Sequence, residues 1–148
     1  MALARELSGR SLEGVRVVEL GCGLAVPSLA AARAGAIVLA TDSDPIPLEL
    51  AERNARANGL RIETARVEWD SPEILLERAP VDLVLAADVL YERPSVAALL
   101  SLLPRLAPEA WIADPLRPAA TSFLDQAEQR WKVETSWRGV VSISRIRL

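Results

Sequence analysis

An α/β fold on a mostly parallel sheet is the class this sequence predicts, and three observations predict it. Short β-branched runs alternate with helical stretches along most of the chain, a pattern that places helices over the faces of a sheet. The runs Val15–Val18 and Val81–Ala87 are mostly apolar at both parities, as strands covered on two faces must be. Near the C-terminus the pattern changes. Lys132–Trp137 and Val140–Leu148 are strand-like runs separated only by Arg138-Gly139, which leaves no room for a crossover helix, so they form a tight antiparallel hairpin.

The elements follow in order. Val15–Leu20 is the first strand, and Pro27 opens a short helix that ends near Gly35. Ile37–Thr41 is the second strand. Asp44 can cap a helix starting at Pro45, where the missing N–H costs nothing, and Asn58-Gly59 supplies its stop. Arg61–Val67 alternates and carries several charges, which suits an edge strand with one wet face. Val81–Ala87 and Ala110–Ala113 are the next strands, and Pro94-Ser95 begins a helix that Pro104 is expected to interrupt. Phe123, Ala127 and Trp131 recur at four-residue spacing, so Ala119–Arg130 is expected to be a helix with its apolar stripe on the sheet. No repeat or long linker divides the chain, which predicts one domain over residues 1–148.

Composition narrows the functions. Apolar residues make up 51% of the 148 and charged residues 25%, too hydrophobic for a disordered chain. The most apolar window, Gly23–Ala40, is broken by Pro27, Arg33 and Gly35 and is expected to be a turn, a helix and a strand, not a membrane span. The N-terminus has no basic stretch before an apolar run, so a cytoplasmic location is expected. Cys22 is the single cysteine and histidine is absent, which removes internal disulfides and the usual zinc constellations, and no metal is expected. With 20 acidic and 17 basic residues and no basic block, an extended nucleic-acid footprint is not expected.

The chemistry concentrates in Val17–Pro27, a strand that runs into a glycine turn and then a helix. Gly21 and Gly23 let the backbone turn sharply and a ligand approach without meeting a Cβ, while the helix presents free amides. An ordinary tight turn would look the same, so other residues must decide. Asp42 ends the second strand 21 residues after Gly21. In a doubly wound sheet that end lies beside the glycine loop, where a carboxylate can accept from both hydroxyls of a ribose. Asp42 could instead cap the next helix, but Asp44 suits that task better. A dinucleotide site wants a third glycine where Val26 stands, which disfavours NAD. Glu19, two residues before Gly21, would repel a pyrophosphate and could engage an ammonium. A nucleoside with a zwitterionic amino-acid tail fits this set.

These residues resemble the first motif of the class I S-adenosylmethionine-dependent methyltransferases. Glu19–Gly23, Asp42, Glu68-Trp69 and the run Asp82–Tyr91 together are more similar to the protein-lysine methyltransferase-like family 16 group, from about Ala4 to the end of the chain. The resemblance implies a three-layer αβα Rossmann-like methyltransferase fold with a seven-stranded sheet, order 3-2-1-4-5-7-6, and an antiparallel last strand. It implies S-adenosylmethionine as cofactor, with Gly21 and Gly23 near its methionine part, Asp42 on the ribose, Trp69 flanking adenine and Ala87 passing close through its backbone. Asp88 and Tyr91 match the family's Asp-x-x-Tyr and are the catalytic candidates, with Glu92 and Asp114 at the same mouth.

The implied activity is methylation of nitrogen, with a protein lysine as one acceptor and that protein as the partner. A non-catalytic nucleoside-binding or partner-stabilising module of the same fold is the alternative, and an NAD-dependent oxidoreductase a third. The chain departs from the family pattern twice. Ala25 stands where the third glycine would be, and the family's N-terminal cover segment has no counterpart in these residues.

Overall fold

Strand parity sorts the core into two faces. A computed structural model describes residues 1–148 as α1 (Ala2–Leu7), β1 (Arg16–Leu20), α2 (Val26–Arg33), β2 (Ile37–Asp42), α3 (Pro45–Ala57), β3 (Glu63–Arg66), α4 (Glu73–Arg78), β4 (Leu83–Ala87), α5 (Arg93–Leu106), β5 (Glu109–Asp114), α6 (Pro118–Glu128), β6 (Lys132–Arg138) and β7 (Val141–Arg147). Val18, Leu20, Val84, Ala86, Ala110 and Ile112 point to one side, into a cluster with Leu99, Leu103 and Phe123 of α5 and α6. Their neighbours Val17, Leu83, Leu85, Trp111 and Ala113 point to the other, against Leu3 and Leu7 of α1 and Ala31 of α2. Period-two alternation therefore buries both sheet faces under helices. A smaller cluster of Cys22, Ala25, Ala40, Leu48 and Ala51 seats α3.

All seven strands form one sheet in the order β3-β2-β1-β4-β5-β7-β6. β1 pairs in parallel with β2 and β4, β2 with β3, and β4 with β5. β7 runs antiparallel to both β5 and β6. Fold class, strand order and the C-terminal hairpin are those expected. The edge placement of β3 also holds, and none of its four residues is buried.

Pro104 does not interrupt α5, contrary to expectation. The helix continues to Leu106 with the proline inside it. A proline there forfeits one backbone bond and strains the turn, but Leu99, Leu100, Leu102, Leu103 and Leu106 are all buried on the same helix. Each buried leucine contributes roughly 1.5–3 kcal/mol, enough together to hold the last turn against the sheet. α6 stops at Glu128, two residues short of the expected end. Trp131 still follows the stripe, because its N–H donates to the carbonyl of Ala127 (2.8 Å) and its side chain packs partly buried on the core.

Asp44 caps α3 as its chemistry requires, Oδ1 accepting from the N–H of Ile46 at 2.9 Å. The parallel strands β1, β2 and β4 finish side by side at Leu20, Asp42 and Ala87. Loops leaving the carboxyl ends of such strands are where open α/β sheets place ligands.

Candidate active site

The loop after β1 is held open by backbone conformation. Gly21 and Gly23 have φ of +63° and +51°, the left-handed region where a side chain is strained. A Cβ on Gly21 would lie 2.8 Å from Cγ1 of Val89 and 3.8 Å from the Trp69 ring, whereas one on Gly23 would meet nothing within 4 Å. Gly21 is thus needed for packing and Gly23 for the open space in front of it. Ala25 shares this conformation, φ +56°, and is fully buried.

Asp42 ties the loop to the end of β2. Its Oδ2 accepts from the N–H of Gly23 and its Oδ1 from the N–H of Asp44, both at 3.1 Å, while the N–H of Cys22 donates to the carbonyl of Thr41 at 2.8 Å. Each carboxylate oxygen keeps a lone pair for a further donor such as a ribose hydroxyl. Burial and the nearby Glu19 and Asp42 push the Cys22 thiol up to about 12, so it stays a packed, unreactive group.

Gly21, Gly23, Asp42, Trp69, Asp88 and Tyr91 line a single cavity of about 560 Å³, together with Ser43, Glu68, Asp70 and Ser95 among others. That volume suits a nucleoside-sized ligand. The glycine cradle, the spare acceptors of Asp42 and the Trp69 ring fit S-adenosylmethionine.

Glu19 and Ala87 are not on that wall. Glu19 is 1% exposed and its Oε2 accepts both from the N–H of Ser28, at 2.9 Å, and from the Ser28 hydroxyl. It fixes the first turn of α2 from beneath the loop. Burial raises its carboxyl from an ordinary 4.5 to about 7, against the pull of the two Ser28 bonds. Ala87 packs partly buried on the α1–α2 side of the sheet, in register with Ala113.

The loop after β4 brings Asp88 and Tyr91 to the cavity, and the loop after β5 lies against those two residues through Arg117. Asp88 has φ +60° and Leu116 φ +57°, conformations that cost non-glycine residues about 1–3 kcal/mol and cluster at functional sites. The N–H of Asp88 extends the sheet by donating to the carbonyl of Ala113 at 2.8 Å. Its carboxylate forms an ion pair with Arg117. The same guanidinium lies 3.5 Å from Oδ2 of Asp114 and 4.8 Å above the ring centroid of Tyr91. The N–H of Arg117 donates to Oδ1 of Asp114 at 2.9 Å.

Burial raises the Asp114 carboxyl, with the charge of Asp88 adding to it. Partial burial and the charge of Asp88 lift the Tyr91 phenol above its usual range, and the hydrogen bond to Asp88 raises Arg117 further. Glu92 precedes α5, exposed and without a capping bond. Sequence reasoning missed Arg117. It falls between Leu116 and Pro118 in a stretch without periodicity, and only the fold carries it to Asp88, 29 residues away. No three metal-ligating side chains gather anywhere in the structure.

Residues 1–113 match the family model described as lysine methyltransferase. The chain belongs to this family, within the S-adenosylmethionine-dependent methyltransferases of class I. Curated relatives of this family member include the human histone-arginine methyltransferase METTL23, 34% identical over 91 residues, which cover 56% of this chain and 46% of that protein. The zebrafish (Danio rerio) protein N-lysine methyltransferase METTL21A is 32% identical over 106 residues, 68% of this chain and 48% of that protein. The ribosomal protein L11 methyltransferase of Ectopseudomonas mendocina is 33% identical over 138 residues, 93% of this chain and 43% of that one.

The chain thus spans less than half the length of these relatives. Among solved structures, an O-methyltransferase family protein from Burkholderia thailandensis superposes with a TM-score of 0.80 over 99% of this chain and 55% of that one, at 13% identity. That likeness concerns the fold alone.

Proposed function

We propose that this methyltransferase-family chain transfers the methyl group of S-adenosylmethionine to a nitrogen acceptor, with a protein side chain, lysine foremost, as the acceptor class. The observation that carries the reading is the single cavity that joins Gly21, Gly23, Asp42 and Trp69 to the pair Asp88 and Tyr91. Relatives described as lysine and arginine methyltransferases support nitrogen as the acceptor atom.

Bound S-adenosylmethionine supplies a methyl group already activated by its sulfonium. Asp42 accepts the ribose hydroxyls, and Trp69 offers its indole face to the adenine. The backbone of Gly21 and Gly23 would admit the methionine part, and Glu19, buried beneath the loop on Ser28, would serve it by holding the loop and the start of α2 in place. Ala87, off the cavity wall, would serve the same ligand by ending β4 where Asp88 begins. Asp88 and Tyr91 would then align an uncharged amine with the S–CH₃ bond, so that orientation does the work and no strong base is needed. An acceptor that arrives as its cation gives a proton to solvent before the methyl group is transferred. Glu92 and Asp114 are not on the cavity wall, and Asp114 would act on the mouth through Arg117. No helix is long and apolar enough to cross a membrane, and a cytoplasmic setting belongs to this reading.

Calorimetric titration with S-adenosylmethionine, S-adenosylhomocysteine and NAD is expected to show the first two binding and NAD silent. Asp88→Ala and Tyr91→Phe are then expected to lower transfer to protein acceptors while leaving S-adenosylhomocysteine binding within about threefold, below the 1.4 kcal/mol that a tenfold change represents. Unchanged transfer in both variants overturns the catalytic assignment. The pairing of Asp88 with Arg117 favours a second reading, a non-catalytic nucleoside-binding module, because it leaves that carboxylate engaged. Cofactor binding without transfer to any acceptor would establish it.

A further inference from the structure

Resting on the acceptor reading of the mouth, we propose that Asp88, Asp114 and Tyr91 form a receptor for a cationic head group that the chain's own Arg117 fills. Arg117 is the residue that sets how tightly a cationic methyl acceptor binds. Its guanidinium has the partners that recognition of an alkyl guanidinium or ammonium requires: the Asp88 carboxylate, the Asp114 carboxylate at 3.5 Å and the Tyr91 ring face at 4.8 Å. An acceptor cation that reaches Asp88 must take that place.

The receptor is open on the side where exchange would occur. Side-chain exposure is 53% at Asp88 and 34% at Arg117, but 3% at Asp114, and Tyr91 is 64% exposed. The buried carboxylate forms the floor, and the displaceable guanidinium sits over it. Two carboxylates against one guanidinium leave the cluster net negative, so an incoming cation is attracted while Arg117 competes with it.

Side chain and backbone are anchored separately. The N–H of Arg117 donates to Asp114 and the N–H of Asp88 donates to Ala113. Neither bond uses the guanidinium, so Arg117 can swing away, or be replaced, with both loops still tied.

Tyr91 is the only tyrosine in the chain, so ring-labelled tyrosine gives a single NMR reporter inside the receptor. The full chain and Arg117→Gln are titrated with n-butylguanidinium in one arm and n-butylammonium in the other. Arg117→Gln is expected to bind at least one probe about tenfold more tightly than the unaltered chain, and the tighter arm names the acceptor head group. Arg117→Lys, which keeps a cation in place, is expected to tighten less. Equal or weaker binding by Arg117→Gln in both arms overturns the proposal.

The unaltered chain supplies an independent decision should that variant not fold. As probe is added, the Arg117 Nε–H signal and the Tyr91 ring signal are expected to shift along one binding curve. A stationary Arg117 signal beside a moving Tyr91 signal, or no shift in either, refutes displacement. The catalytic reading fails separately. Tightening without transfer to any acceptor sinks that reading alone, and transfer without tightening sinks this one alone.

Discussion

Glu19→Gln is expected to gain stability relative to the parent as pH rises through neutrality and to flatten the pH dependence. The Glu19 carboxyl is raised from 4.5 to about 7 because burial penalises its charged form. A group raised on folding contributes stability that is fully present below its unfolded value and is lost as pH rises through the folded one. The window is therefore pH 4.5 to 7. At about 1.4 kcal/mol per tenfold change in proton affinity, ionising Glu19 costs the folded state about 3 kcal/mol by pH 8.

Glutamine keeps an oxygen for the N–H and hydroxyl of Ser28 but introduces a buried NH₂, an offset of about 1–3 kcal/mol if no acceptor is found. That offset does not depend on pH. The decisive quantity is the difference between variant and parent at pH 8 minus that at pH 4.5, expected to be about 3 kcal/mol in favour of the variant. In a chain of this size it corresponds to a swing of roughly 6–12 °C in Tm. Urea unfolding or calorimetry at the two pH values measures it. A difference that stays constant across the window refutes the account of Glu19 as a buried, reluctantly ionised carboxyl.

Other expectations concern the cavity wall. Gly21→Ala combines a left-handed strain of about 1–2 kcal/mol with a Cβ 2.8 Å from buried Val89, and is expected to lower Tm by at least about 4 °C. Gly23→Ala meets no atom and is expected to show the backbone strain alone, with a larger loss in S-adenosylhomocysteine affinity than in stability. The reverse order in a thermal melt would contradict the packing assigned to Gly21. Asp42→Ala is expected to weaken the cofactor by roughly 10- to 100-fold, about 1.5–3 kcal/mol for a charged hydrogen-bond acceptor. A change below twofold in calorimetry removes Asp42 from the ribose. Trp69→Leu is expected to cost about 1–3 kcal/mol of cofactor affinity through lost stacking while Trp69→Phe restores most of it, and equal affinities for the two variants would deny an aromatic role.

The framework was legible because it is written in local patterns. Alternating runs, the Pro45 and Asn58-Gly59 boundaries and the short link at Arg138-Gly139 each determine structure within a few residues. The glycine loop and Asp42 were legible because spacing along a βα unit converts directly into proximity at the ends of adjacent parallel strands. What resisted was decided across the fold. Pro104 forecast a break that the burial of five leucines overrides. Glu19 has the right spacing for a ligand contact, yet which carboxylate faces the cavity and which faces Ser28 depends on how α2 docks. Arg117 carries no local signature, and its meeting with Asp88 exists only once β4 and β5 lie side by side.

Main-chain bonds of Asp88 and Arg117, rather than their side chains, hold the rim of the cavity to the sheet. The rim behaves as a rigid socket whose pins can be exchanged. Replacing the Asp88 or Arg117 side chain is expected to alter which molecule seats there while both of these main-chain bonds stay in place, whereas replacing Asp114 would remove one of them.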